Sequence, residues 1–470
     1  MSLQASVLGL AALVTIVSST AVNDGCNALA SSHPDKTFFP GSERYKFENE
    51  YSWTSTTYLG PSCIFAPQGA EDVQFALRTF QEHQVQFVIR CGGAMLIDNA
   101  ANIGTEGIMM AMTNLTSMAI SDDTETVTIG SGVTWPPLYA YLDEFGVTAN
   151  GIRSGNGGVV GAILGGGPFG FMAYEYGMSN AVRSLECVLA DGTLVTASAK
   201  EHPDLFWALF GGGNNYCIVT KAVLNTIPIS SALIGTGPGV AEQYIKSVEQ
   251  FALHGAEHPK ASFEGQTRWV PSRSPDISFD GYLWYSGEGD VPIGLENFTA
   301  PILPITRGNI SRTTIGQWSN EFNYAPLSEQ ELYSTGWLAM PMLQLLGSLS
   351  TPTTTASHLW RTSKISPPLS MTARRSGTSK ALYGRNPEDD ERVLRVHAEA
   401  NEKIRAKLSA AGLGPLPFMY LSDIQKSQMP ETFSAYGARN LRKMKSVRAK
   451  YDPDRVFTEL MPGGAKVALA

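Results

Sequence analysis

Three glycine-rich loops constrain the fold of this chain more than any other feature. The first runs from Arg90 to Met95 (RCGGAM), the second from Gly151 to Gly167 (GIRSGNGGVVGAILGGG), and the third from Gly211 to Tyr216 (GGGNNY). Glycine has no Cβ, so it adopts positive φ freely and lets backbone approach a ligand closely. Three such loops, each bordered by strand-like sequence, therefore indicate a binding surface built from backbone.

The chemistry of these loops suits a diphosphate. Backbone N–H groups in such turns form concave sites for anions, and a neutral cradle can meet the charge of a dinucleotide with N–H dipoles. None of the loops is a Walker loop or a Rossmann fingerprint, so the dinucleotide is expected in another fold. The alternative, glycines that only mark tight turns, stays open for any single loop.

Local patterns predict a mixture of helices and strands, which indicates the α+β class. The predicted helices are Glu71–His83, Leu138–Phe145, Glu391–Ala411 and Asn440–Lys450; the predicted strands are Gln86–Ile89, Thr126–Gly130, Leu185–Leu189, Leu194–Ala197 and Asp280–Tyr285. The Asp191-Gly192 pair between two of these strands is a strong hairpin signal. Residues 348–370 are rich in Ser, Thr and Pro, and are interpreted as a loop or lid.

Charge and targeting signals restrict partners and location. The net charge is −8, so the chain lacks the basic footprint of a nucleic-acid binder. The apolar run Leu8–Val17 is followed by small residues, which predicts a signal peptide cleaved after Ala21; an uncleaved anchor and a buried N-terminal segment are the alternatives. We therefore expect a secreted protein, or one of the secretory pathway or vacuolar lumen, with no membrane span after cleavage.

Cysteines and glycosylation sequons are consistent with that location. Cys26 and Cys63 flank the first segment and are the expected disulfide pair, whereas Cys91, Cys187 and Cys217 are interpreted as packed thiols. The cysteine spacings do not resemble a metal site, so no metal is expected. Three Asn-X-Ser/Thr sequons give the candidate glycosylation sites, at Asn114, Asn297 and Asn309.

The sequence resembles the FAD-linked oxidoreductases of the vanillyl-alcohol oxidase and p-cresol methylhydroxylase superfamily, in particular their berberine-bridge-enzyme-like branch. The segments that carry the resemblance, in the family's order and spacing, are Pro61–Ile64 (PSCI), the three glycine loops, Val127–Leu142, Tyr176-Gly177, Val188–Gly192, Asp204–Thr220, Tyr451–Phe457 and Pro462–Gly464. The resemblance implies a two-lobed α+β fold with FAD bound in one lobe. The other lobe, which binds substrate, would be an antiparallel sheet covered by helices.

Changes in composition along the sequence also predict a division of the chain. The expected parts are a signal peptide (1–21), an N-terminal segment (22–56), an FAD-binding domain (57–229), a substrate-binding domain (230–415) and a C-terminal tail that returns to the FAD lobe (416–470). A chain of 470 residues is too long for one ordinary hydrophobic core, so two lobes suit its length.

Family members hold FAD with residues that can be placed on this sequence. The first loop is expected to cradle the pyrophosphate, the second to pass along pyrophosphate and isoalloxazine, and Ile218 to meet the adenine through its backbone. Tyr436 and Asn440 match a tail element that approaches the flavin. The expected cofactor contacts are Arg90, Cys91, Gly92, Gly93, Ala94, Met95, Ser154, Gly155, Asn156, Gly157, Gly158, Gly161, Gly165, Gly166, Tyr176, Gly213, Ile218, Tyr436 and Asn440.

Two positions depart from the family pattern. Members often tether the flavin through a His in the first loop and a Cys in the second, where this chain has Ala94 and Ser154. Neither side chain can replace an imidazole or a thiolate, so non-covalent FAD is expected. Cys91 lies at a place where the family has Gly or Ser; a packed thiol is the main interpretation and an unusual covalent anchor the alternative.

Candidate catalytic residues lie in the tail. A Tyr or carboxylate beside the flavin deprotonates substrate in this family, and the matching segment here is Phe418–Asp423 (FMYLSD). Asp423 and Tyr420 are therefore the candidates, with a capping Asp and a packing Tyr as the alternatives. Three aromatic residues of the substrate lobe are expected to line the pocket: Trp269, Tyr282 and Trp284.

The main functional hypothesis is an FAD-dependent oxidase or dehydrogenase. It would act on a hydrophobic small molecule in specialised-metabolite biosynthesis, by proton abstraction and hydride transfer to flavin N5, with O2 as one fitting electron acceptor. Fold resemblance does not fix function, so two alternatives stay open. One is a redox-neutral cyclase or pericyclase in which FAD is structural, and the other is a flavin-binding protein that is not an enzyme.

Overall fold

The fold is given by a computed structural model. It describes residues 19–52, 54–95, 97, 99–152, 157–167, 172–176, 181–229, 232–236, 244, 246–247, 250–251, 254–268, 278–288, 292–298, 307–321, 332–340, 376–384, 390–410, 419–424 and 426–470. The loop or lid expected at 348–370 lies outside these residues.

Strands and helices both occur along the described part of the chain. The strands are β1 Thr37–Phe38, β2 Cys63–Phe65, β3 Gln86–Arg90, β4 Gly107–Ala111, β5 Met118–Ile120, β6 Thr126–Gly130, β7 Val147–Ala149, β8 Val182–Leu189, β9 Leu194–Ser198, β10 Cys217–Pro228, β11 Ala232–Thr236, β12 Ala261–Arg268, β13 Ser278–Tyr285, β14 Arg307–Thr313, β15 Leu332–Met340 and β16 Ser376–Gly384. The helices are α1 Ser19–Ser32, α2 Glu43–Asn49, α3 Ala70–Glu82, α4 Trp135–Asp143, α5 Val159–Leu164, α6 Ala173–Tyr176, α7 Pro203–Leu209, α8 Ile315–Glu321, α9 Asp390–Ala410, α10 Met429–Thr432, α11 Ala438–Tyr451 and α12 Val456–Glu459.

The first sheet delivers the first glycine loop. Its strand order is β1-β2-β4-β3, with β2 and β3 parallel to β4. Strands β2 and β3 run in the same direction, so the chain must cross over between them, and helix α3 is this crossover. The helix buries the apolar face formed by Val73, Leu77 and Phe80. The predicted helix and strand here are confirmed, and β3 ends at Arg90, where the loop begins.

The second sheet brings the other two loops beside it. Its order is β5-β6-β10-β8-β9, all antiparallel, and β7 pairs with the far end of β10. The predicted strand at Thr126–Gly130 and the hairpin at Asp191-Gly192 are confirmed; Gly192 has the positive φ of 81° that the turn requires. The helix predicted from Leu138 begins earlier, at Trp135, because two prolines fit its first turn.

The N-terminal segment contains two helices that sequence periodicity did not indicate. Helix α1 buries Val22, Cys26 and Leu29, and helix α2 is capped by Ser42, whose oxygen accepts the Tyr45 N–H. The predicted cleavage point after Ala21 falls in the first turn of α1 and stays a prediction. The Cys26–Cys63 disulfide is confirmed and ties α1 to β2.

The second lobe contains antiparallel sheet, as expected. Strands β12-β13-β11-β14 form one sheet and β15-β16 a pair. Strand β13 lies between two hydrophobic clusters: Trp284 joins the large cluster of the first lobe, while Leu283 and Tyr285 join a smaller one with Phe298. Strand alternation explains this division, because neighbouring side chains point to opposite faces. Together with the first lobe, this confirms the two-lobed α+β fold.

The tail packs on the first lobe. The Tyr451 hydroxyl donates to Asp204 of α7 at 2.8 Å, and the Phe87 N–H of β3 donates to the Leu460 carbonyl at 2.7 Å. Within the described part of the chain, none of the helices has the length and apolarity needed to cross a membrane.

Candidate cofactor site

A buried ion pair holds the first residue of the first loop. Arg90 and Glu48 are both fully buried, and the Arg90 guanidinium donates to one Glu48 oxygen. The other Glu48 oxygen accepts from Arg44 and from the Thr113 hydroxyl, each at 2.7 Å. The positive charge of Arg90 is therefore met inside the protein, and its contact with FAD stays a prediction.

Two side chains of the first loop bear on flavin attachment. Burial raises the pKa of the Cys91 thiol to about 11, although Arg90 acts in the opposite direction, so Cys91 is protonated at neutral pH. A protonated thiol is a poor nucleophile, which favours the packed-thiol interpretation. Ala94 is exposed and offers only a methyl group where the family has its His tether.

The first and second loops are in direct backbone contact. A Cβ added to Gly92 would overlap the backbone of Gly158, and a Cβ added to Gly158 would approach Gly92 in return. The second loop is also bonded to the strand-helix turn before α4, since the Val159 N–H donates to the Val133 carbonyl at 3.0 Å. Glycine is needed at this crossing because any side chain would separate the two loops.

The second and third loops are joined by one carbonyl. The Leu164 oxygen, at the end of α5, accepts the N–H groups of Gly211 at 3.1 Å and Gly213 at 2.9 Å. Both of those glycines have positive φ, 88° and 60°. The described parts of the three loops thus form one continuous backbone surface.

The third loop is clamped to the tail by one amide. Asn215 is buried, its Nδ2 donates to the carbonyls of Gly212 and Ala465, and its Oδ1 accepts the Val467 N–H at 3.0 Å. The distances to the two carbonyls are 2.8 and 3.1 Å. The amide therefore fixes the loop and the final residues of the chain as one unit.

Lys466 lies between the two clamped tail residues. It is 5% exposed, and its Nζ is 3.4 Å from Oδ1 of Asn214, in the third loop. Burial lowers the pKa of this lysine to about 7, although Asp452 attracts its charge. The site therefore contains a buried amine that titrates near neutral pH.

The tail segment with the catalytic candidates covers the ends of the second and third loops. The Tyr420 hydroxyl donates to the Gly167 carbonyl at 3.2 Å, and a Cβ on Gly165 would overlap the Ser422 hydroxyl. Leu421 lies against Gly213 in the same way. Asp423 ends this short helical turn, but its side chain lies outside the described part. Catalytic roles for Tyr420 and Asp423 stay predictions.

Tyr176 lies at a cavity near the lobe boundary. A space of about 280 Å³ is lined by Asn150, Glu175, Tyr176, Ala181, Asn225 and Ile227. Burial, and then Glu175, raises the pKa of the Tyr176 phenol. The Glu175 carboxylate also accepts the hydroxyl of Ser286, from the second lobe, at 2.6 Å. Tyr176 is thus placed where the two lobes meet.

The remaining candidates divide into described and undescribed residues. Tyr436 is buried and its carbonyl accepts from Asn440 Nδ2 at 3.0 Å, while Ile218 is buried in β10 opposite Val188. Trp284 is 1% exposed and packs in the large cluster. Outside the described residues lie Ser154, Gly155, Asn156, Trp269 and the side chain of Tyr282.

The sequons differ in their surroundings. The Asn114 amide donates to the Ala66 carbonyl at 3.1 Å and accepts from Arg44 at 2.9 Å, and a glycan on Nδ2 would compete with the first of these bonds because it replaces one Nδ2 hydrogen. Asn297 is exposed, and the Asn309 side chain lies outside the described part.

The residues present fit an FAD cofactor. The loops bring glycine backbones together where a Cβ would collide, and none of the three contains an acidic residue that would repel a diphosphate. Sequence reasoning missed Glu48, Asn215 and Lys466, whose partners lie far away in the chain. The paired Asn214-Asn215 after the glycines was the one available signal.

Comparison with known proteins agrees with this site. Residues 61–198 match the FAD binding domain family. The chain is 28% identical to the FAD-dependent monooxygenase prx3 of Penicillium roqueforti, over 97% of this chain and 95% of that protein. It is 26% identical to the bifunctional solanapyrone synthase of Alternaria solani, over 95% of this chain and 89% of that protein.

Solved structures show the same fold. Glucooligosaccharide oxidase from Acremonium strictum, described as having a 6-S-cysteinyl, 8α-N1-histidyl FAD, superposes with a TM-score of 0.72. The match covers 92% of this chain and 98% of that chain at 17% sequence identity.

Proposed function

We propose that this chain oxidises a hydrophobic small molecule in specialised metabolism. It belongs to the FAD-linked oxidoreductases of the vanillyl-alcohol oxidase and p-cresol methylhydroxylase superfamily, and it resembles their berberine-bridge-enzyme-like branch. The observation that carries the proposal is the continuous backbone surface of the three glycine loops, which lies largely in the matched FAD binding domain. The names of two relatives, a monooxygenase and a solanapyrone synthase, support the small-molecule substrate.

The chain's part in the reaction is to bind, orient and deprotonate the substrate. FAD, when bound, supplies a two-electron acceptor that takes a hydride at N5. We assign the substrate proton to the Asp423 carboxylate, because this residue ends the turn that covers the loop ends. Tyr420 positions that turn through its hydroxyl on the Gly167 carbonyl. With O2 as acceptor, the two electrons and two protons taken from substrate leave as hydrogen peroxide.

Non-covalent attachment is part of the same proposal. Ala94 and Ser154 stand at the two tether positions of the family, and the Cys91 thiol is protonated at neutral pH. A flavin without tethers is generally a weaker oxidant, so activated allylic or benzylic alcohols suit this site better than sugar hydroxyls.

The test is anaerobic mixing of the purified flavoprotein with a panel of aromatic and polyketide alcohols. Loss of the visible flavin band together with formation of oxidised product supports the proposal. In Asp423→Asn we expect the bleaching rate to fall about 10²- to 10⁴-fold at unchanged flavin content, the usual size of general-base catalysis. Bleaching at the wild-type rate in this variant would remove Asp423 from its role.

A redox-neutral cyclase is the second candidate. One relative over nearly the whole chain is named a bifunctional synthase rather than an oxidase, and this name is the observation that favours the second candidate. Product that appears anaerobically while the flavin stays oxidised would support the cyclase and contradict the oxidase.

We further propose that the protein enters the secretory pathway. The run Leu8–Val17 and the Cys26–Cys63 disulfide both favour this location. Expression of the full chain in a eukaryotic host and N-terminal sequencing of the secreted product should give Val22 as the first residue. Retention of the protein inside the cell with Met1 intact would contradict the proposal.

A further inference from the structure

Lys466 is a buried cation without a carboxylate partner among the described residues. Within the described part of the chain, its ammonium approaches one hydrogen-bond acceptor, Asn214 Oδ1, at 3.4 Å. Asp452 attracts it from a distance, but the two oxygens of Asp452 already accept the N–H groups of Val456 and Phe457, at 2.7 and 3.1 Å. Burial of an ammonium without a direct ion pair is costly, so an anionic partner from outside the chain would be stabilising here.

The backbone on both sides of Lys466 is bonded to the third loop. Asn215 bonds to Ala465 on one side of Lys466 and to Val467 on the other, which holds the lysine backbone against the third loop. The side chain consequently approaches Asn214, the residue that follows the three glycines. With 5% of its surface exposed, the lysine lies inside the protein and not in solvent.

The same tail segment also touches the exit of the first loop. A Cβ added to Gly463 would overlap the Asn99 carbonyl, and Asn99 follows the RCGGAM loop closely in the chain. Lys466 therefore lies in a strip of tail that spans the first and third loops. Arg90, another buried cation of the site, differs from Lys466 because its charge is balanced by the Glu48 carboxylate.

We propose that Lys466 is a cofactor contact whose ammonium pairs with the anionic diphosphate of FAD. The pair would be a charge-assisted hydrogen bond, which is shorter and stronger than a neutral one. This contact depends on FAD binding and not on the reaction that follows.

The direct test is ³¹P NMR of the purified holoprotein. The two diphosphate resonances should move in Lys466→Met and return towards their wild-type positions in Lys466→Arg. Lys200→Met, which removes an exposed lysine of the same lobe, is the matched control and should leave them unchanged. Resonances of Lys466→Met that superpose on those of wild type would overturn the proposal, and the readout holds whether or not the flavin is covalently attached.

A second measurement separates a cofactor contact from a structural lysine. We expect Lys466→Met to raise the FAD dissociation constant about 10- to 100-fold, the size of a hydrogen bond to a charged group. The thermal midpoint of the ligand-free variant should be equal to or above that of wild type, because a buried unpaired charge has been removed. A lowered midpoint with unchanged FAD affinity would show that the lysine is structural. Neither readout depends on substrate turnover, so failure of the proposed oxidation would leave this test intact.

Discussion

Two buried cations beside the glycine loops differ in whether a carboxylate of the protein pairs with them. Arg90, under the first loop, is paired with Glu48, and that carboxylate is further held by Arg44 and Thr113. Lys466, beside the third loop, has no direct ion pair among the described residues: its nearest acceptor there is the Asn214 amide oxygen, and Asp452 attracts its charge only from further away. A charge next to a binding site is therefore not automatically a ligand contact. A cation compensated within the protein supports the fold, whereas an uncompensated one is available to an anion.

The largest expected effect comes from breaking the first pair. In Glu48→Gln the Arg90 charge stays buried without compensation, which should lower the free energy of unfolding by about 3–5 kcal/mol. Urea unfolding of the ligand-free protein measures this, with the exposed Glu82→Gln as control. If Glu48→Gln were as stable as Lys466→Met, the contrast between the two cations would be wrong.

The amide clamp comes next. Asn215→Ala removes hydrogen bonds to Gly212, Ala465 and Val467, and should cost about 3 kcal/mol at roughly 1 kcal/mol for each bond. The C-terminal residues should also become accessible to carboxypeptidase. Asn214→Ala is the matched control, since that side chain has only long contacts and should cost much less. Equal losses in the two variants would contradict a specific clamp.

Contact between the first two loops can be tested with one methyl group. Gly92→Ala must push the first loop away from Gly158, and overpacking of this kind costs about 1–3 kcal/mol. FAD occupancy should fall as well. Gly69→Ala, outside the glycine loops, is the control, because nothing lies within 4 Å of its Cβ position. A Gly92→Ala protein with the stability and FAD content of Gly69→Ala would contradict a close contact between the two loops.

The smallest effect concerns Cys91. With its pKa raised to about 11 by burial, the thiol is almost entirely protonated at pH 8, so its alkylation by iodoacetamide should be slow and should rise tenfold per pH unit up to about 11. Glu48→Gln leaves the Arg90 charge unpaired, which should lower the pKa of Cys91 and speed alkylation at pH 8. Mass spectrometry of the Cys91 peptide over a pH series measures both rates. Fast alkylation of the wild-type thiol at pH 8 would reopen covalent anchoring through Cys91.

Local signals account for what the sequence could predict. The helix at α3, strand β3 and the hairpin at Asp191-Gly192 follow from periodicity and turn chemistry, and the Cys26–Cys63 pair from the position of the two cysteines. Apart from the disulfide, each of those features is encoded within a few residues. The disulfide was indicated by its two cysteines, which flank the first segment of the chain.

Long-range partners account for what was missed. Glu48 and Arg90 are 42 residues apart, and Asn215 and Val467 are 252 apart, so no local pattern links them. The burial of Lys466 likewise depends on the tail folding back over the third loop. The resemblance to a flavoprotein family indicated which loops bind, but not which buried charges are compensated.

The most direct test of the whole account is acid denaturation of the purified protein, followed by flavin spectra of the precipitate and the supernatant. The account predicts stoichiometric FAD in the supernatant and none on the precipitated chain, since Ala94 and Ser154 cannot form a tether and Cys91 is protonated. Flavin retained on the precipitate would contradict the non-covalent site, and a protein without any flavin would contradict its assignment as an FAD-linked oxidoreductase.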